Sequence, residues 1–140
     1  MKKVISIVLS VIFAMVIAGC ETGDKNGNDE VDGRTTLTIK NTSEYNFTNV
    51  EYSSIDFGSI NSNKEKKVEV PSNTTKPISF TLVLSHISET VLCTTDPVTC
   101  DVGKNRTITI SNNTNVSTDR DITDTLENID YQLSMESKNR

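Results

Sequence analysis

Three patterns of apolar spacing follow one another along the 140 residues. Val4 to Ala18 is an apolar run interrupted only by Ser6 and Ser10, behind the basic start Met1-Lys2-Lys3. Glu21 to Gly33 holds one aliphatic residue, Val31. From Arg34 to Ile110 apolar and polar residues mostly alternate, the period of half-buried β-strands. After Thr118 the apolar spacing lengthens to that of a helix.

The strand region reads as short segments separated by Asn, Ser, Gly and Pro turns. Leu37 and Ile39 alternate with threonines in Arg34–Lys40, and Asn41-Thr42-Ser43-Glu44 is a turn. Tyr45, Phe47, Val50, Tyr52, Ile55 and Phe57 follow, closed by Gly58. The parity shift between Phe47 and Val50 predicts a bulge or short break near Asn49. Lys64–Val70, KEKKVEV, reads as an exposed or edge strand whose lysines discourage further pairing. Pro77–Ile87 is the strongest strand, with Ile78, Phe80, Leu82 and Leu84 on one face and His86 and Ile87 continuing it. It belongs in the middle of a sheet. Val91 and Leu92 lead into Cys93, Val98–Val102 is a return strand, and Thr107–Ile110 is a last alternation. Seven or so such strands predict an all-β, antiparallel Ig-like or transthyretin-like β-sandwich over residues 34–117.

Ser111–Thr118 is a polar connector. Ile122, Leu126, Ile129 and Leu133 then form one stripe of an amphipathic helix within residues 118–140. Asp121, Thr123 and Asp124 suit its N-terminus, where acids complement the helix dipole. This helix packs on the sandwich or flanks an open end of it; on a functional reading it binds a partner or forms a short self-association seam, and a third reading leaves it frayed.

The N-terminal run of about 15 apolar residues is shorter than the roughly 20 needed to span a bilayer. Basic start, apolar centre and small closing residues are the layout of a secretory signal. Ile17-Ala18-Gly19-Cys20 resembles the lipobox of bacterial lipoproteins. That resemblance implies removal of residues 1–19, a diacylglycerol on the Cys20 thiol and acylation of its new amino group with chains such as palmitate. Each buried CH₂ contributes about 0.8 kcal/mol, so two or three chains hold the protein to a bilayer without spanning it. Residues 20–33 are then the acylated cysteine and a flexible tether. Its 13 residues after Cys20 include three glycines and five acids, too little apolar surface to offset ordering entropy. Its mean reach is on the order of 20 Å. Glu21 does not meet the Asp rule for inner-membrane retention in enteric bacteria, so the outer membrane or cell surface is favoured over the periplasmic face of the inner membrane.

Loss of residues 1–19 removes Lys2 and Lys3, taking the formal charge from −5 to −7. An acidic surface argues against nucleic acid as a partner. The 107 residues after the tether suffice for one small domain. Without Trp and with few other aromatics, its core is thin.

With Cys20 carrying lipid, Cys93 and Cys100 remain. An exported compartment permits disulfides. The intervening Asp96-Pro97 is a turn signal, so a hairpin bridged between Cys93 and Cys100 is predicted. A metal or redox pair fits poorly, because His86 is the sole histidine and C-x₆-C is neither a usual ligand spacing nor a C-x-x-C.

Other motifs weigh little. Asp119-Arg120-Asp121-Ile122-Thr123 matches D-x-D-x-T, but it enters a terminal helix rather than ending a parallel strand. An EF-hand from Asp119 to Asp130 would need Gly where Asp124 stands. His86 reads as a strand-end histidine with a structural partner, since no second His, G-x-S-x-G or phosphate loop accompanies it. Asn41, Asn46 and Asn73 open N-x-S/T triplets, by-products here of Asn- and Thr-rich turns.

The strand spacing from Leu37 to Ile110, through Val50/Tyr52, Phe57-Gly58, Val68/Val70 and Ile78/Phe80, resembles that of small β-sandwich lipoproteins of spirochaetes. The resemblance covers about 75 residues and implies no catalytic residues or cofactors. The expected function is non-enzymatic: an envelope lipoprotein held to the bilayer by acylated Cys20, presenting its loops to a protein or glycan. The alternative is a carrier of a small ligand or ion, bound between the sandwich and the C-terminal helix.

Overall fold

The arrangement is built outward from Ile78–Leu84. The computed structural model describes residues 33–140. The segment 1–19 expected to be a signal, Cys20, and the expected tether through residue 32 lie outside the described residues. Eleven strands are present among the described residues: β1 (Arg34–Asn41), β2 (Asn46–Tyr52), β3 (Ile55–Ile60), β4 (Lys64–Pro71), β5 (Thr74–Lys76), β6 (Ile78–Leu84), β7 (Glu89–Thr95), β8 (Val98–Cys100), β9 (Arg106–Ile110), β10 (Asn115–Thr118) and β11 (Thr123–Thr125). One helix, α1 (Leu126–Lys138), follows.

Strict alternation places Ile78, Phe80, Leu82 and Leu84 of β6 on one buried face. The strand lies inside a six-stranded sheet of order β11-β10-β7-β6-β2-β3, antiparallel at every pairing. A second sheet has the order β4-β1-β9, and a small third one pairs β5 with β8. One buried cluster takes Leu37, Ile39, Val70 and Ile110 from the three-stranded sheet, Phe47, Phe80, Leu82 and Cys93 from the six-stranded sheet, and Leu126, Ile129 and Leu133 from α1. Phe47 and Phe80 touch with ring centroids 4.3 Å apart.

Several sequence expectations hold. β4 is an edge strand with Lys64, Lys66 and Lys67 exposed. The register slips between Thr48 and Glu51, where Asn49 has φ 49°. Others are corrected. β2 and β3 are a hairpin closed by Ser53 and Ser54, both at positive φ (50° and 64°). That two-residue geometry is usually announced by Asn-Gly, so Ser-Ser carries little signal. β6 stops at Leu84, and His86 lies in the turn before β7. β1 and β9 run parallel, not antiparallel. The polar connector contains β10, so strand structure continues past residue 117. The helix begins only at Leu126, and Ile122 precedes it.

The predicted hairpin at Cys93–Cys100 is not formed. β7 already has β6 on one side and β10 on the other, which leaves no edge for a return strand. After Asp96-Pro97 the chain pairs β8 with β5 instead. Tyr52 secures that small sheet, its hydroxyl lying 2.8 Å from the Thr74 carbonyl and 3.0 Å from that of Val98. Cys93 and Cys100 are two buried free thiols.

Candidate functional site

The most concentrated polar chemistry lies where the 41–45 loop, the β6–β7 turn and α1 meet. The loop is shaped by one buried side chain, Asn41. Its Nδ2 donates to the carbonyls of Tyr45 (2.7 Å) and Ile60 (3.0 Å). Its Oδ1 accepts from the Ser43 amide (2.9 Å) and the Ser43 hydroxyl (2.6 Å). All four bonding positions of the amide are thereby used, so its burial is compensated. Glu44 N–H donates to Asn112 Oδ1 at 3.0 Å, fixing the loop on its other side.

The helix supplies the opposite wall. Thr125 caps it, accepting from Asn128 N–H, and Leu126, Ile129 and Leu133 bury its apolar stripe. Asp124, expected at this terminus, supports the cap. Its Oδ1 accepts from Asn128 Nδ2 at 2.9 Å and from Thr125 N–H at 2.8 Å, and these bonds hold its carboxyl below the usual range. With the stripe inward, Asp130 and Ser134 lie one turn apart on the same side of α1.

Asp130 is the hub. Tyr45 donates its hydroxyl to Oδ2 at 3.0 Å. Ser134 donates to Oδ1 at 3.0 Å, and His86 Nε2 lies 2.9 Å from that same oxygen. His86 Nε2 is also 2.9 Å from Ser134 Oγ. Burial first, and the Asp130 carboxylate second, raise the Tyr45 phenol well above its ordinary range, so it stays a donor. Two open grooves flank the hub and share Glu44, Tyr45 and Asp130. One, of about 390 Å³, also takes in Val83, Ser85 and His86. The other, of about 360 Å³, takes in Glu127, Asn128, Tyr131 and Ser134. Tyr131 is 66% exposed.

Ser, His and Asp side chains thus meet, but not as a catalytic relay. A relay places the carboxylate on one ring nitrogen and the nucleophile on the other. Here both contact Nε2, and the Ser134 proton points to Asp130. The cluster ties turn and loop to helix and leaves hydrogen-bonding groups open to the grooves.

The sequence-marked residues disperse. His86 does have a structural partner, Asp130, although it sits on a turn. Cys93 and Cys100 are buried away from the grooves. Burial, with Asp119 nearby, pushes the Cys93 thiol up to about 12. A thiol held neutral is a poor nucleophile and a poor metal ligand. Asp119 and Asp121 lie in the turn after β10, where Arg120 pairs with Glu89 at 2.8 Å, while Asp130 faces His86. No ion-binding loop gathers them. Among the described residues no group of three or more His, Cys, Asp and Glu side chains is placed to hold a metal. Tyr45 and Ser134 belong to no motif in the sequence, and Asp130 enters only as the last position of the incomplete EF-hand pattern. The only local signal is the Asp–Ser spacing of one helical turn. Neither a family model, a curated protein nor a solved structure matches the chain.

Proposed function

We propose that the chain is a non-enzymatic lipoprotein of the bacterial cell envelope, anchored through acylated Cys20, whose Ig-like or transthyretin-like β-sandwich is presented to a protein or glycan partner. The carrying observation is Ile17-Ala18-Gly19-Cys20 behind a basic, apolar leader and ahead of an acidic, glycine-rich segment. The sandwich reading is supported by the single buried cluster shared between the three-stranded and six-stranded sheets. The grooves beside Asp130 are the partner site within this reading. Tyr131 offers an aromatic face, and Glu44, Glu127 and Asn128 offer hydrogen-bonding groups of the kind that hold sugar hydroxyls or peptide amides.

Labelled palmitate fed to cells expressing the chain enters the wild type and not Cys20→Ser. Incorporation into the variant, or none into the wild type, removes the anchor and with it this reading. Protease added to intact cells then assigns the side: digestion before lysis places the domain on the outer surface, the favoured location. A second reading, a carrier of a small polar ligand, draws on the same grooves between the β-region and α1. A rise in Tm on adding one ligand class, lost in Glu44→Gln, selects it.

A further inference from the structure

The sheet edges of this molecule are not equally protected. β4 carries three exposed lysines. β3 is interrupted by Gly58 at φ 69° and carries the exposed Asp56, and Gly58 is approached by Lys66 Nζ of β4. β11 is three residues long and runs straight into α1. β5 and β8 are three residues each. β9 is five residues long, with no lysine and no glycine, and the exposed Arg106 at its start is its one charge. It reads Arg-Thr-Ile-Thr-Ile, and among the described residues only β1 pairs with it.

The backbone of β9 shows which groups are open. The Thr42 amide donates to the Ile110 carbonyl at 2.9 Å, so Ile110 turns its peptide groups toward β1. Peptide groups alternate sides along a strand, so Arg106 and Ile108 do the same, and Thr107 and Thr109 point theirs outward. Both threonines are exposed. Beside this edge lies a groove of about 290 Å³ lined by Asp96, Pro97, Val98, Ile108 and Ile110 among others. A strand added to β9 would cover that groove.

We propose that two copies of this chain pair edge to edge through β9, antiparallel about a twofold axis at Ile108. Thr107-Ile108-Thr109 reads the same in both directions. Antiparallel pairing therefore sets Thr107 opposite Thr109 of the second copy, twice, with outward peptide groups meeting outward peptide groups. Ile108 meets its own counterpart on the groove face. The second copy's Arg106 falls opposite Ile110, on the face where Asp96 lines the groove. Asp96 makes no ion pair among the described residues, so that arginine has a counter-charge waiting. The two Arg106 side chains stay about 13 Å apart, four residues at roughly 3.3 Å each, beyond strong repulsion at physiological salt. The result is one six-stranded sheet of order β4-β1-β9-β9-β1-β4, with lysine-bearing strands at both ends. The pairing holds whether or not Cys20 is acylated.

The test is disulfide trapping of the full chain in the cells that make it. Ile108→Cys places a thiol on the axis, while Cys93 and Cys100 are buried and serve as background in the parent. Mild oxidation gives a dimer band with Ile108→Cys several-fold above both the parent and Lys67→Cys, which samples the guarded edge. Adding Thr107→Lys and Thr109→Lys abolishes that band. Their side chains face solvent, so the fold survives, as protease resistance checks. Thr109→Pro abolishes it too, by removing an outward N–H that β1 does not use. A dimer band no stronger than that of Lys67→Cys, or one that persists with both lysines in place and the fold intact, overturns the proposal.

Discussion

β6 and the Asp130 cluster hold the molecule together in opposite ways. β6 is apolar on one face, locally encoded, and buries Ile78, Phe80, Leu82 and Leu84. The cluster is polar and partly exposed, joining Tyr45, His86, Asp130 and Ser134 across sequence separations of 85 and 48 residues. In the strand, stability is area removed from water, about 25 cal/mol per Å² of apolar surface. In the cluster, each hydrogen bond replaces one with water, and the net gain is about 1 kcal/mol. The strand fixes that the chain folds, and the cluster fixes how turn, loop and helix meet around the grooves.

The comparison breaks first where the strand is cut. Phe80→Ala should cost about 3–5 kcal/mol, because Phe80 is fully buried against Phe47. Small domains hold roughly 5–15 kcal/mol in all, so urea unfolding should show a greatly lowered midpoint. A loss below that of any cluster substitution would invert the ranking.

Alkaline titration separates the regions next. Cys93, on the strand paired with β6, is raised from 9.0 to about 12 by burial. Between those values the unfolded chain releases a proton that the folded chain keeps. The contribution of this thiol is therefore constant below about pH 9 and is lost as pH rises toward 12, by up to about 1.4 kcal/mol per pH unit. Tyr45 and Tyr52, both raised by burial, act in the same direction at higher pH. Cys93→Ala should flatten the onset near pH 9. An unchanged slope in that variant would show that the thiol ionises freely in the folded state.

The strand could be read from sequence because its information is local. Period-two alternation at Ile78, Phe80, Leu82 and Leu84 requires a buried face whatever lies opposite. The Lys-rich β4 and the parity slip at Asn49 are legible for the same reason. The cluster is not, since no local rule pairs Tyr45 with Asp130 85 positions away. The hairpin predicted between Cys93 and Cys100 misleads because turn chemistry at Asp96-Pro97 says that the chain bends and not which strand receives it. The structure answers with β5, since β7 is flanked on both sides. Asp121 and Thr123 misplace the helix start because several N-capping types stand together, and only Thr125 receives the Asn128 amide.

Within the polar region, Asp130→Ala should be the most damaging change, at roughly 1–3 kcal/mol. It leaves the Tyr45 hydroxyl, on a residue only 7% exposed, without its acceptor. Thr125→Ala should follow at about 1 kcal/mol through loss of the N-cap. Urea midpoints at constant m-value would order the two. The depressed Asp124 beside this cap adds an acid-side signature. Its contribution is present above the unfolded value and is lost as pH falls through the lower folded one, so Asp124→Asn should lessen the acid sensitivity of helix circular dichroism.

His86→Ala is the smallest effect and the most informative. The side chain is 53% exposed and its link to Asp130 spans 2.9 Å at the rim of the groove. Exposed pairs contribute about 0–1 kcal/mol, and after the substitution Asp130 still accepts from Tyr45 and Ser134. A loss under about 1 kcal/mol is therefore expected, against the larger loss from Asp130→Ala, although both remove the same contact. A double-mutant cycle of the two isolates their coupling. Coupling of a few tenths of a kcal/mol keeps His86 as a surface brace on a hub that stands without it. Coupling as large as the whole Asp130 loss would make the histidine the keystone, and the contrast between apolar strand and polar cluster would then lie in how they are encoded rather than in how much each stabilises.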